Sequence, residues 1–408
     1  MPAALHRFCR CILATTLVAL GNASRAAGQQ PAEQKWYDRL QFEGDFRPRF
    51  EYIHQDTDPD TEELPRNRLR FRLRAGVTAP VSKQVTVGFR LSSNEGKNPT
   101  SGNVTLGDAA APKTIVIDQA YATWTPNASI ALTVGKFDNP LERPEAVIRS
   151  ELIWDGDFTP EGFSETITLH RSSEGLLRRA AVGVQQWYLL EDSQARDTWM
   201  VGGQAQVDLK PRERTTLNLA AGYYGYPRVG SLAQAANSNG QLNVSNSVVL
   251  EDGSILEGGT LIEPDPANPF DHFVSDFGQA QVSAALRVDR VVGDAELQVY
   301  GDVISNVKAD SLNTGVQVGV GLDRMGKLPG WSVAAAWAYL EQEAVLSIFS
   351  YSDLGRGGTN LKGLIAGAQW RPVRNVTFAV REHIVSPIRT VQPNTSINRL
   401  QVDVTFAF

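Results

Sequence analysis

Over its last residues the chain alternates without a break. Leu400, Val402, Val404, Phe406 and Phe408 are apolar, and Arg399, Gln401, Asp403, Thr405 and Ala407 between them are polar or small. A strand sends successive side chains to opposite faces, so this segment has one apolar and one polar face. The same period recurs along the chain. Leu69, Phe71, Leu73, Ala75 and Val77 alternate with Arg68, Arg70, Arg72, Arg74 and Thr78. Trp199, Val201, Gly203, Ala205, Val207 and Leu209 alternate with Thr198, Met200, Gly202, Gln204, Gln206 and Asp208. Reading the period throughout predicts strands near 40–52, 68–78, 85–92, 114–124, 129–137, 162–170, 179–191, 198–209, 214–225, 277–289, 295–304, 312–323, 331–342, 361–370, 375–385 and 396–408.

Many of these strands exceed the 5–6 residues usual in globular proteins and match the roughly 9–11 needed to cross a bilayer at a tilt. The connections alternate short and long. Short ones fall at 80–84, 125–128, 210–213, 290–294 and 371–375; long ones at 55–65, 94–112, 138–161, 226–276, 343–360 and 386–395. Short periplasmic turns, longer extracellular loops and an even strand number are the pattern of outer-membrane barrels. The expected fold is therefore all-β: a transmembrane antiparallel β-barrel of about 16 strands. Within 226–276, Val248-Val249-Leu250 and Ser254-Ile255-Leu256 flank Glu251-Asp252-Gly253 as a small hairpin. If its arms entered the wall, the count would be 18. No stretch of about 18 apolar residues follows the N-terminus, so no transmembrane helix is expected.

The N-terminus reads as a secretory signal over 1–26. Arg7 and Arg10 precede a short apolar run from Cys11 to Gly21, and Ser24-Arg25-Ala26 is a small-x-small cleavage site. A periplasmic segment 27–39 and a barrel 40–408 would follow. Both cysteines, Cys9 and Cys11, lie in the signal, which excludes a disulfide framework in the mature chain. The net charge is −6, and the signal holds Arg7, Arg10 and Arg25 but no acid. The mature chain is more acidic still, which argues against a nucleic-acid partner.

Five arginines, Arg66, Arg68, Arg70, Arg72 and Arg74, share one strand face, and Arg90 on the next strand joins them. A charge facing lipid at mid-depth costs about 2–4 kcal/mol, so the ladder must face the lumen. The wall acids on the neighbouring strand are Glu43, Asp45 and Glu51. They are too few to cancel the ladder together with Arg47 and Arg49, so a net basic wall is expected. It would either select ions or serve only as cross-strand ion pairs. The long connection 138–161 is acidic, with Glu142, Glu145, Glu151, Asp155 and Asp157 among its charges, and Ala146-Val147-Ile148 offers an apolar docking segment. Aromatics sit near strand ends at Trp124, Tyr223, Trp331, Trp337, Tyr339, Trp370, Phe406 and Phe408, as interfacial girdles would require.

Other chemistry is sparse. Ser164 and His170 share an expected strand face, the one foothold for a membrane hydrolase, but no acid is placed to orient the histidine. The histidines lack metal-ligand spacing. Asp265 and Asp271 are loop acids able to meet Ca²⁺, without EF-type spacing. No cofactor, metal site or catalytic residue is expected.

The first third resembles a family of bacterial outer-membrane porins. The resemblance is carried by Arg68-Leu69-Arg70-Phe71-Arg72-Leu73-Arg74, Gly88-Phe89-Arg90-Leu91, Asn98-Pro99-Thr100-Ser101-Gly102-Asn103, Ile117-Asp118-Gln119-Ala120-Tyr121-Ala122, Gly135-Lys136-Phe137-Asp138-Asn139-Pro140 and Trp154-Asp155-Gly156-Asp157-Phe158-Thr159-Pro160-Glu161-Gly162. It implies a passive outer-membrane channel for small hydrophilic solutes and ions, embedded in outer-membrane lipid. In general diffusion-type β-barrel porins, which the chain resembles, the loop corresponding to 138–161 folds inward and narrows the channel. The resemblance also implies that barrel assembly machinery reads the C-terminal strand through Phe408, and that a homotrimer forms. Two rivals remain: an outer-membrane β-barrel hydrolase resting on Ser164 and His170, and a secreted all-β carbohydrate-binding protein. The second predicts shorter strands and a polar C-terminus.

Overall fold

Strands with one apolar and one polar face leave no free edge only if the sheet closes, and in lipid every backbone group must find a partner. The sheet closes here. A computed structural model describes residues 36–56, 65–96, 98–143, 146–191, 197–238, 242–259, 261–355, 357–389 and 396–408. The signal segment 1–26 and residues 27–35 lie outside the described residues, and Trp36–Arg39 forms a single 3-10 turn.

The barrel strands are β1 Gln41–Asp56, β2 Arg66–Pro80, β3 Val85–Ser93, β4 Ile115–Asn127, β5 Ile130–Lys136, β6 Glu161–Arg171, β7 Leu177–Leu190 and β8 Thr198–Arg212. They continue as β9 Thr215–Gly225, β10 Gly278–Val292, β11 Ala295–Asn306, β12 Thr314–Asp323, β13 Gly330–Leu340, β14 Leu361–Val373, β15 Val376–Pro387 and β16 Ser396–Ala407. Each pairs antiparallel with its sequence neighbours, and β1 pairs with β16 from Asp45 opposite Ala407 to Asp56 opposite Ser396. The wall thus has 16 strands. A two-residue strand, Val104–Thr105, adds to β2 opposite Phe71 and Arg70 where β3 is too short to cover it.

The hairpin at 248–256 stays out of the wall. Val248–Leu250 pairs with Ile255–Leu256 and with Phe270–Phe273 in a separate three-stranded sheet. Its arms of 3 and 2 residues cannot span a bilayer, so the count of 18 does not hold.

The two faces sort as their chemistry requires. Phe42, Leu69, Val282 and Ile384 point outward, while Gln204, Gln281, Gln317 and Gln401 are buried in the interior. Trp124, Trp370, Phe378 and Phe406 are exposed near the short-turn ends of their strands, and Tyr223 and Trp337 near the loop ends. Trp370 and Phe378 stack across β14 and β15 with centroids 5.5 Å apart. These positions form two aromatic girdles.

Candidate channel constriction

Loop 137–160 leaves β5 and returns on β6. At its root Gly135 lies opposite Gly162, with φ +118 and +140. That backbone suits glycine alone among common residues. A Cβ at Gly135 would stand 3.0 Å from the Tyr121 Cα, and one at Gly162 3.0 Å from the Trp187 Cα. The paired glycines let both chains bend where a side chain would block them.

The loop then runs across the lumen by fixed contacts. The Glu142 amide donates to the Gln204 Oε1 of β8 at 2.8 Å, and Arg179 of β7 holds the Glu142 carboxylate at 2.8 Å. Val147 N–H donates to Gln298 of β11 at 2.9 Å, and Ser150 donates to Asp302. Gln317 of β12 donates to the Arg149 carbonyl at 3.1 Å. Ile148 and Leu152 are buried. The far end reaches the arginine wall, where Asp157 lies 2.8 Å from Arg72.

An apolar core sits beneath the loop on the β7–β9 side. Trp154 stacks on Phe158 at 5.3 Å and meets Trp187 edge-on at 5.1 Å and Tyr224 at 6.0 Å. Phe349, from the connection 341–360, closes it at 6.0 Å from Trp154. This part of the lumen is thus packed like a domain interior. A polar cavity of about 440 Å³ lies against β1, β2 and β12–β15.

Acids stand against the arginines of the ladder. Glu51, fully buried, takes Arg68, accepts Gln401 at 3.0 Å and lies 3.7 Å from Arg70. Asp45 holds Arg72 at 3.0 Å and Arg74 at 2.7 Å. Arg90 pairs with Asp118 and, at 3.2 Å, with Asp138. Arg66 is exposed at the loop end of β2, and Glu43 is exposed opposite Gly76 near the turn end, away from the ladder. The expected net basic ladder fails because further acids join Asp45 and Glu51. Asp353 lies 2.9 Å from Arg49 and 3.0 Å from Arg399, and Asp403 lies 2.7 Å from Arg49. The Arg49–Asp403 pair follows from strand closure, since the two residues are register partners across β1 and β16.

The acids of 138–161 do not act as one cluster. Asp138 meets Arg90 where the loop begins, and Asp157 meets Arg72 and Arg74 and also accepts the Gly102 amide at 3.2 Å. Asp155 accepts from Ser352 N–H at 2.8 Å and Ser352 Oγ at 2.7 Å. Glu151 accepts the Gly156 amide at 3.0 Å. Glu142 lies on the opposite wall with Arg179, and Glu145 lies outside the described residues. Burial opposes ionisation at Asp157, yet Arg72, Arg47 and Arg74 hold its carboxyl below the usual range. Burial pushes the Glu151 carboxyl up.

Sequence reasoning missed two supporting loops. Thr100, Ser101 and Asn103 are buried in the connection 94–114, and Ser352 donates to the Thr100 carbonyl at 3.0 Å. Tyr351, Ser352 and Asp353 come from 341–360 and meet Arg381, Asp155 and Arg49. Thr100, Ser101 and Asn103 lay in a segment that carried the resemblance but no role, and no motif marked Tyr351, Ser352 and Asp353, which act from a loop distant in sequence. Arg381 and Arg399 were legible on the polar faces of their alternating strands.

The hydrolase foothold does not assemble. Pairing slips between Thr168 and His170, and the exposed His170 ring contacts the Leu177 carbonyl at 3.3 Å. Asp265 caps its own turn at Ala267, and Asp271 pairs with His272 at 2.9 Å.

A closed sixteen-strand barrel crossed by a seated loop, with a polar cavity beside it, defines the class of outer-membrane diffusion channels. Residues 56–260 and 274–408 match a family described as "Putative porin". The chain therefore belongs to this porin family, and it is an outer-membrane porin. Pseudomonas putida OprB, in a high-pH structure, shares the fold at TM-score 0.55 and 11% identity, over 90% of this chain and 94% of that one. Salmonella typhi OmpF in complex with daunomycin matches at TM-score 0.52 and 10% identity, over 90% and 97% of the respective chains. No curated protein matches the chain. The family and the fold point to a channel rather than an enzyme.

Proposed function

We propose that loop 137–160 and the arginine faces of β1 and β2 form the constriction of this porin and set its ion preference. The observation that carries the reading is Asp157, held 2.8 Å from Arg72 at the end of a loop fixed on β7, β8, β11 and β12. Arginines on one side and loop carboxylates on the other place a transverse field across the passage. Small hydrophilic solutes cross by diffusion through that field.

The test is conductance and reversal potential in planar bilayers under a salt gradient. Arg72→Ala leaves Asp45 and Asp157 short of a cation, and the reversal potential should move toward cation preference. Deleting 146–155 should raise conductance. An unchanged reversal potential would make Arg72 a structural pair only. An unchanged conductance would place the narrowest point elsewhere.

Three further features belong to the same reading. Segment 1–26 is cleaved on export. The assembly machinery reads the strand ending at Phe408, whose backbone bonds Gly44 in both directions at 2.8 and 3.0 Å. Three copies associate, with Ala280, Ala284 and Ala335 presenting small outward side chains. Detergent-corrected light scattering should give the mass of three chains, and a single-chain mass rejects the trimer.

A further inference from the structure

Seven arginines and five acids line the 440 Å³ cavity beneath the loop. Two of the five acids hold an arginine and three accept only from neutral donors, and the lining has two more arginines than acids. Asp157 and Asp353 pair with Arg72 and Arg49, while Asp155, Glu151 and Asp323 accept from Ser352, Gly156 and Met325. The arginines divide differently. Arg49, Arg72 and Arg74 have carboxylate partners. Arg47 donates only to the neutral Asn103 Oδ1 at 2.8 Å, Arg371 to the Met325 carbonyl at 2.9 Å and Arg381 to the Tyr351 hydroxyl at 2.9 Å. Among the described residues no carboxylate stands at ion-pair distance from these three or from Arg149. Neutral acceptors satisfy a guanidinium's donors without balancing its charge.

Two further observations bear on what the cavity can hold. Arg47, which has no carboxylate partner, sits directly opposite Arg72 in the β1–β2 register. Like charges directly across a sheet destabilise it unless something compensates them. The Arg47 Nε and the Ser332 Oγ are buried without a hydrogen-bond partner, and both residues line this cavity. Buried donors left open in a native protein call for an occupant.

We infer that this cavity is an oxyanion-binding subsite on the permeation path, where Arg47, Arg371 and Arg381, with Arg149 of the loop, hold a small carboxylate or a phosphate. The inference rests on the porin reading and names the solute class for it. Guanidinium forks fit both anions through paired N–H···O bonds, and Ser332 and Tyr351 add neutral hydroxyls. The paired ladder shapes the wall, and the unpaired arginines select the solute.

The experiment uses the detergent-purified barrel in planar bilayers, with heat-modifiable mobility as the check on assembly. Currents are recorded over a concentration series of potassium succinate and of potassium phosphate. In the parent barrel the current should saturate in at least one of them, and the lower half-saturation assigns organic carboxylate or inorganic phosphate as the solute. Arg47→Gln and Arg371→Gln should each raise the half-saturating concentration about tenfold or more. Lys308→Gln, in an exposed loop, should leave it unchanged. Should Arg47→Gln fail to assemble, Arg371→Gln decides, because that change frees only one turn carbonyl. Currents that rise linearly in both salts, or an unchanged half-saturation in Arg371→Gln, overturn the subsite and leave the porin standing. An assembled barrel that conducts nothing overturns the porin reading and the subsite with it.

Discussion

At the scale of residues, Glu51 shows how the barrel interior tolerates so many cations. It has no exposed surface, and it sits among Arg49, Arg68 and Arg70 with Gln401 donating to it. Its charge is what makes three neighbouring guanidiniums acceptable in one patch of wall. Removing one partner from a buried ionic cluster costs about 3–5 kcal/mol, because the opposite charges remain behind. Glu51→Gln keeps the shape and removes the charge, so it should destabilise the barrel by that order. The urea midpoint of the refolded protein measures it, and a midpoint equal to the parent's would mean that the arginines find counter-ions elsewhere. Alternation alone made this residue's inward placement legible. Its partners were partly legible too: Arg49 and Asp403 lie on polar faces of strands that a closed barrel must join. Asp353 was not, because nothing in a loop's local sequence says which wall it will meet.

At the scale of elements, all sixteen strands were read to within four residues at each end, since period-2 patterning depends on local chemistry, while most short turns proved tighter than expected because the strands run on into them. Loop seating was not readable from the residues. It depends on Trp154 finding Trp187 and Tyr224, and on glutamines of three strands capturing loop backbone. Local marks lay at the root, in the glycines of Gly135-Lys136-Phe137 and Pro160-Glu161-Gly162, and in the apolar Ala146-Val147-Ile148, whose Ile148 is buried. Gly162→Ala puts a Cβ against the Trp187 backbone in a conformation that L side chains rarely adopt. Strain of this kind costs about 1–3 kcal/mol. The variant should lower the temperature of the heat-modifiable shift and broaden single-channel current steps as the loop loses its seat. Alanine at Gly107, also at a φ beyond the left-handed region (+98) but with nothing near a Cβ, separates conformational strain from collision. If both variants shift equally, the close approach to β7 contributes nothing.

At the scale of the whole molecule, the lumen is divided. An apolar core takes side chains from β7–β11 and β13–β15, and a charged cavity lies against β1, β2 and β12–β15. The passage's net charge then depends on pH through the loop carboxylates, since arginines keep theirs. Asp157 is held below the ordinary carboxylate range by Arg72, Arg47 and Arg74 against the opposing effect of burial, and Asp353 by Arg49 and Arg399 in the same way. These two stay ionised as the solution is acidified. Burial pushes Glu151 up; burial, with the charges of Glu151 and Asp157 beside it, pushes Asp155 up further. They take protons first, at a pH above the ordinary carboxylate range. Each proton bound removes a negative charge and adds to the arginine excess, so anion preference should strengthen as pH falls from neutral into the mildly acid range. The reversal potential under a potassium chloride gradient, measured stepwise over that range, follows the change. Glu151→Gln should blunt the response by fixing one of the two titrating groups as neutral. A reversal potential that drifts toward cation preference on acidification would mean that the loop carboxylates do not face the conducting path.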